Sequence, residues 1–280
     1  MKGFKNMKIS ASSIANTNLA DGQVGIWYLG QEGFLFKNKD KYLVVDPYLS
    51  YYVDENCCQF VEWERLYAPP ISAKELSFVD VVVCTHSHYD HADPSTLSKI
   101  AKANPKAVFV VPAPELETIA AYGIEKERII GAKADEILSI CGFEIKGVPS
   151  AHEEFHIDEN GNYHELGYII EADGQRFFHA GDMCLYDGLA ERLTNIDIAF
   201  LPINGRDYYR NKNDIIGNFD CVEAVTLAKE IGAKMLVPMH HDLYAVNKVD
   251  PAYFISVLNE IHPYRQFHIF SPAECYISIK

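Results

Sequence analysis

Positive charge is scarce in this chain. Its 280 residues hold 25 Lys and Arg against 39 Asp and Glu, a formal net charge of −14 at pH 7. Binding along a nucleic-acid backbone needs Lys and Arg near the phosphates, so this balance argues against a general nucleic-acid binder. A small anionic metabolite stays open as a partner, because a bound metal supplies local positive charge that the total hides. Long apolar runs are missing too: none reaches the ~20 residues of a membrane span. The N-terminal MKGFKNMKIS is basic but lacks the apolar core of a secretory signal. Seven cysteines occur and no CxxC pair, which argues against a sulfur-based zinc finger. An odd, scattered set of thiols fits a reduced, cytoplasmic protein.

What is present is a dense histidine cluster. The run Thr85-His86-Ser87-His88-Tyr89-Asp90-His91 places four residues able to bind a metal within six positions. Imidazole and carboxylate donors suit zinc, manganese or iron. Used only for packing, such a cluster would need a buried partner for every polar group. The apolar residues 79–84 before it read as a buried strand. Asp93-Pro94 after it reads as a helix cap with proline at the first helical position, opening a helix to about Ala103. The cluster therefore sits in a loop pinned between a strand and a helix.

Elsewhere the chain alternates. Residues 24–29, 34–37 and 42–45 read as short strands, closed by Asp46-Pro47. The aromatic segment 48–73, with Tyr48, Tyr51, Tyr52, Phe60, Trp63 and Tyr67, is irregular and reads as a lid, a subunit contact or a surface excursion. Strand candidates follow at 107–111, 137–140, 143–148, 166–171, 175–179, 196–201, 234–237, 266–270 and 274–279. Helices are expected at 114–122, 219–231 and 251–261. The first twenty or so residues read as an arm. Hairpins followed by strand-helix alternation in both halves predict two mixed sheets with helices outside, in one domain spanning residues 1–280. Three further donors sit just after strand candidates: His152, Asp182 and the His240-His241 pair.

The HxHxDH pattern of His86, His88, Asp90 and His91 resembles the signature of the metallo-β-lactamase superfamily. His152, Asp182 and His240 match its remaining ligand motifs in order. Leu29-Gly30-Gln31-Glu32-Gly33, the stretch from Leu201 to Tyr209 and His240-His241-Asp242 resemble the L-ascorbate-6-phosphate lactonase branch, in which His152 has no clear equivalent. The resemblance implies an α+β fold, a four-layer αββα sandwich. It implies two divalent ions, manganese or zinc, with iron also open. His86, His88 and His152 would hold one, Asp90, His91 and His240 the other, and Asp182 would bridge them, with His241 as the alternative to His240. The implied chemistry is hydrolysis by a metal-bound hydroxide, with Asp90 and Asp182 catalytic and a phosphorylated sugar lactone as substrate. A phosphodiesterase and a non-catalytic metal-binding regulator are the alternatives.

Asn204-Gly205-Arg206-Asp207-Tyr208-Tyr209-Arg210 is the substrate-binding candidate. Two arginines and two tyrosines can hold a phosphate or a sugar acid, and Asn204, Arg206 and Tyr208 are named for that role. Arg206 is favoured over Arg210 because it lies closer to a strand end. Glu32 and His241 join the substrate-binding candidates, and Glu32 reads either as a group beside the metals or as part of a hairpin turn. His179 is expected as a core histidine, and His156 and His164 read as entrance-lining or exposed loop residues. Second nitrogens of ligand histidines need fixed partners, for which Thr85 and Asp242 are candidates. A homo-oligomer stays open.

Overall fold

The computed structural model describes residues 8–58 and 61–280. Phe60 and the first seven residues of the expected N-terminal arm lie outside the described residues. The chain opens with α1 (Ala11–Ala15) and a meander of β1 (Gln23–Gly30), β2 (Gly33–Asn38) and β3 (Lys41–Val45). Then come α2 (Tyr52–Asn56), β4 (Val81–Val83), α3 (Pro94–Ala103), β5 (Val108–Pro112), α4 (Leu116–Ala120) and β6 (Ile129–Ala132). A second meander follows, β7 (Ile137–Ile140), β8 (Phe143–Pro149), β9 (Leu166–Ala172) and β10 (Gln175–His179). The remaining elements are α5 (Leu189–Arg192), β11 (Ile198–Pro202), α6 (Tyr208–Lys212), α7 (Cys221–Glu230), β12 (Met235–Met239), α8 (Pro251–Ile261), β13 (Gln266–Phe267) and β14 (Cys275–Ile279).

The strands form two seven-stranded sheets, ordered β14-β1-β2-β3-β4-β5-β6 and β13-β12-β11-β10-β9-β8-β7. Each is antiparallel across its meander and parallel from the meander's last strand onward, and β14 adds to β1 antiparallel. The sheets pack face to face through aromatic rings: Phe34 lies 4.6 Å from Phe200 and Phe36 lies 5.4 Å from Phe177. Strand periodicity divides the residues between layers. On β1, Val24, Ile26 and Tyr28 enter the inter-sheet core, whereas Trp27 and Leu29 join the layer under the helices. Leu97 and Ile100 of α3 cover that outer face. The αββα sandwich expected from the sequence is thus the observed fold. Among the described residues no helix is long and apolar enough to cross a membrane.

Several local expectations need correction. The N-terminal arm contains a helix, α1, held by a Ser10–Ser13 capping box. Buried Lys37 donates to the carbonyls of Ile14, Ala15 and Thr17 at 2.8–3.1 Å, closing the helix end. Segment 48–73 contains α2, and β6 forms where no strand was expected. The strand read at 79–84 pairs as β4 over only three residues before the chain turns into the histidine loop. Asp93 caps α3 by accepting from Ser95 N at 2.9 Å, as its sequence suggests.

Sheet direction positions the site. β10, β11 and β12 are parallel. β8 is antiparallel to β9, and β9 to β10, so β8 runs the same way as β10. The C-terminal ends of all four therefore open on one edge of their sheet, as β3 and β4 open on one edge of theirs. Loops leaving the carboxyl ends of strands in a sheet crevice are where ligands bind in such folds.

Candidate metal centre

The histidine loop leaves β4, His152 lies beyond β8, Asp182 beyond β10 and His240 beyond β12. These loops meet. Single donor atoms of His86, His88, His152 and Asp182 lie within 4.8 Å of one another, and so do those of Asp90, His91 and His240. Asp182 stands between the two groups. Its Oδ2 is 3.5 Å from His152 Nε2, 3.8 Å from His86 Nε2 and 3.5 Å from His91 Nε2. Its Oδ1 is 3.3 Å from His240 Nε2.

Several atoms that face this centre lack partners of their own. His86 Nε2, His91 Nε2, His152 Nε2 and both oxygens of Glu32 are buried without a hydrogen bond. Burying that many polar atoms unpaired is costly unless a ligand satisfies them. Nitrogen and oxygen donors at ligand spacing fit a pair of divalent ions.

The far sides of the rings show how tautomers are fixed. Thr85 Oγ1 donates to Asp46 Oδ2 at 2.6 Å, which leaves its lone pairs to accept from His86 Nδ1 at 3.0 Å. His91 Nδ1 donates to the same Asp46 oxygen at 2.9 Å. Thr85 N donates to Asp46 Oδ1 at 2.8 Å. Asp46 thereby turns the Nε2 lone pairs of both His86 and His91 toward the centre. The sequence marked Asp46 only as the end of a strand, because its role depends on a neighbouring strand bringing Thr85 and His91 to it. Asp242, a candidate partner for a histidine, instead accepts from Tyr28 OH at 2.8 Å and Tyr67 OH at 2.9 Å. It anchors the loop that carries His240 rather than a ring.

Electrostatics separate the two groups. Burial pushes His86 well below the ordinary imidazole value, and pushes His152 down to about 4. Both are held neutral, the form that binds a metal. Burial also works against the charged form of His91 and His240, but the carboxylates of Asp90 and Asp182 outweigh it and raise both. Burial, reinforced by Asp182, raises Glu32 well above the carboxylate range. Asp182 is lowered well below it because His240 and His91 outweigh its own burial.

Other expected residues divide. Glu32 is buried 3.7 Å from His91 Nδ1, and it also groups with Asp182 and His240 within ligand spacing. His179 Nε2 donates to the Glu32 carbonyl at 2.8 Å and is a core histidine. Asn204 is buried and accepts from Asn218 Nδ2 at 3.1 Å, while the same nitrogen donates to Asp182 Oδ1 at 2.8 Å. Asn218 escaped notice in the sequence. His241 is buried with Nδ1 unpartnered and does not join the donor groups. Arg206 and Tyr208 are not brought to the centre. Arg206 is drawn to Glu223 and to the Asn218 carbonyl, and Tyr208 is 81% exposed. Gln31, noted only as part of a weak motif, places Nε2 2.8 Å from Asp90 Oδ2 and 3.0 Å from His240 Nε2.

The model of the beta-lactamase superfamily domain matches residues 41–241, from β3 through the His240-His241 pair. The chain belongs to the metallo-β-lactamase superfamily. Metal-dependent hydrolases from Aeropyrum pernix and Pelotomaculum thermopropionicum are 27% and 28% identical to it. Each match covers 89% of this chain, with 95% and 97% of the relatives. A metallo hydrolase from Ignicoccus hospitalis superposes with a TM-score of 0.66 at 21% identity, over 91% of this chain and 98% of that one. The isothiocyanate hydrolase of Delia radicum gut bacteria gives 0.70 at 17% identity, over 90% and 98%. At these identities the structural likeness is one of fold. This superfamily member carries a clustered His/Asp/Glu site of the kind that serves metal-dependent hydrolysis.

Proposed function

We propose that this chain is a two-metal hydrolase acting on a carbonyl substrate, with lactone opening as its reaction. The supporting observation is the convergence of seven donors from four strand ends, five of which, His88, Asp90, His152, Asp182 and His240, line one cavity. In this reading His86, His88 and His152 hold one ion, Asp90, His91 and His240 the other, and Asp182 lies between. Manganese and zinc both suit these donors, and iron is open as well. When bound, the ions lower the pKa of a coordinated water from about 15.7 toward roughly 7 and offset the charge that develops during attack.

The protein's own contribution is positioning and proton handling. Asp46 holds two rings in their ligating tautomer. Asn218 fixes Asp182 Oδ1. Asp90 has Oδ2 held by Gln31, and its side chain is 22% exposed to the cavity, the most open carboxylate of the donor set. In this reading its other oxygen would pass a proton between the cavity and a leaving alkoxide.

A phosphorylated sugar lactone is the finer reading, carried by the Leu29–Gly33, Leu201–Tyr209 and His240–Asp242 resemblances. The metal centre supports hydrolysis, and serves a lactone and a phosphodiester alike. Recognition of the phosphate was assigned to Arg206, which pairs with Glu223 instead. Reconstitution with Mn²⁺ or Zn²⁺, followed by assay against lactones, esters and cyclic and linear phosphodiesters, tests the proposal. Ring-opened acid is expected. Turnover of diesters alone would make the chain a phosphodiesterase, and stoichiometric metal uptake without hydrolysis would make it a binding protein.

A further inference from the structure

Above the metal floor the cavity has a wall of different chemistry. It encloses about 230 Å³, and Val53, Cys57, Trp63, Ile215, Ile216 and Tyr244 line much of it. Trp63 packs edge-on against Tyr244 at 5.1 Å between centroids. The Tyr244 hydroxyl is turned away from the cavity and donates to Tyr48 OH at 2.8 Å, so the ring rather than the polar tip is offered. Among the described lining residues there is no Lys or Arg. The one charged wall residue outside the donor set is Asp214, an anion.

Neither of the buried arginines nearby lines the cavity. Arg65 donates to the carbonyls of Tyr48 and Ser50 and stacks on the Tyr48 ring, with Nη2 buried and unpartnered. Arg210 pairs with Asp207 and donates from Nε to Asn247 Oδ1 at 2.8 Å. A phosphate dianion on the substrate's arm would find no side-chain cation on the cavity wall and would lie beside Asp214. A buried charge without a partner is strongly disfavoured.

We propose that the cavity selects an uncharged substrate: a small ester or lactone bearing an alkyl or aryl arm, seated against Trp63, Tyr244 and Ile215. The proposal rests on the hydrolase reading and names its substrate class. Asn247 supplies the polar contact. Because Arg210 Nε can only donate, the Asn247 atom it meets is the amide oxygen. The Asn247 NH₂ is left as a donor on the cavity wall for a neutral acceptor on the substrate.

Two measurements on the metal-loaded full chain separate the proposal from the reading beneath it. The first compares kcat/KM for γ-phenyl-γ-butyrolactone, glucono-δ-lactone and glucono-δ-lactone 6-phosphate. The phenyl lactone should lead the phosphorylated one by tenfold or more. Trp63→Ala should lower kcat/KM for the phenyl lactone about tenfold through KM, with kcat and metal content unchanged. The second measures binding of benzamide and phenyl phosphate by isothermal titration calorimetry, which needs neither turnover nor a tryptophan reporter. Benzamide should bind at least tenfold tighter, and Trp63→Ala should weaken its binding about tenfold. Preference for the phosphorylated member in either measurement, or benzamide affinity unchanged in Trp63→Ala, overturns the proposal. Selective benzamide binding without hydrolysis of any lactone or ester overturns the hydrolase reading and leaves the cavity's preference standing.

Discussion

Asp46 and Asp182 do different work with the same carboxylate. Asp182 stands between the two halves of the donor set, with Oδ2 facing His152, His86 and His91 and Oδ1 facing His240. Asp182→Asn should lower bound metal per chain by elemental analysis and reduce activity by roughly 10²-fold or more; full metal content with wild-type turnover would rule out a bridging role. Asp46 faces no open position, and its oxygens hold Thr85 and His91. Asp46→Ala should weaken metal affinity by about 10–100-fold with secondary structure retained by circular dichroism. Unchanged affinity would show that His86 and His91 keep their orientation without it. Glu32 is fully buried with both oxygens unpartnered.

At the scale of elements, the strand ends need turns that few residues accept. Gly181 lies between β10 and Asp182 with φ 62, and an added Cβ would stand 2.7 Å from Thr85 Cβ. Gly181→Ala should destabilise the fold by about 1–3 kcal/mol, read as a lower denaturant midpoint. Gly188, with φ 89 and nothing near its added Cβ, is the control for backbone strain alone. An equal loss in both variants would show that the Thr85 contact is slack. Elements with strong local signals were legible in the sequence: α3 with its Asp93 cap and Pro94, and α8 over residues 251–261. The short elements α1, α2, α5 and β6 carry too few residues for a periodic pattern, and packing decides them.

For the whole molecule, the opposed shifts among the histidines set an order of metal loss. A metal needs neutral imidazole. Burial keeps His86 and His152 neutral well into the acid range, His152 to about 4. His91 and His240 sit above the ordinary imidazole value because the neighbouring carboxylates outweigh burial, so protons compete there first as pH falls. Dialysis at stepwise lower pH should therefore release the Asp90/His91/His240 ion at a higher pH than the other. Simultaneous release, or the reverse order, would contradict this assignment. Metal should also raise the melting temperature in proportion to the logarithm of its free concentration above Kd.

Much of the site was written locally. The HxHxDH spacing puts four donors on one short loop, and strand alternation with Asp93-Pro94 holds that loop between β4 and α3. The donors His152, Asp182 and His240 were recognisable as residues following strands. Their convergence was not, because it depends on β8, β10, β11 and β12 running the same way in one sheet, which is set by pairing between distant segments. The same holds for the cavity wall: Trp63, Ile215 and Tyr244 belong to separate loops and share a surface only after folding. Arg206 shows the converse. Proximity to a strand end recommended it, but the capping residue Glu223 at the start of α7 drew its charge away from the cavity. Residue chemistry is fixed by the chain's order, whereas which face a side chain turns toward, and what lies opposite, is settled by the packing of one sheet on the other.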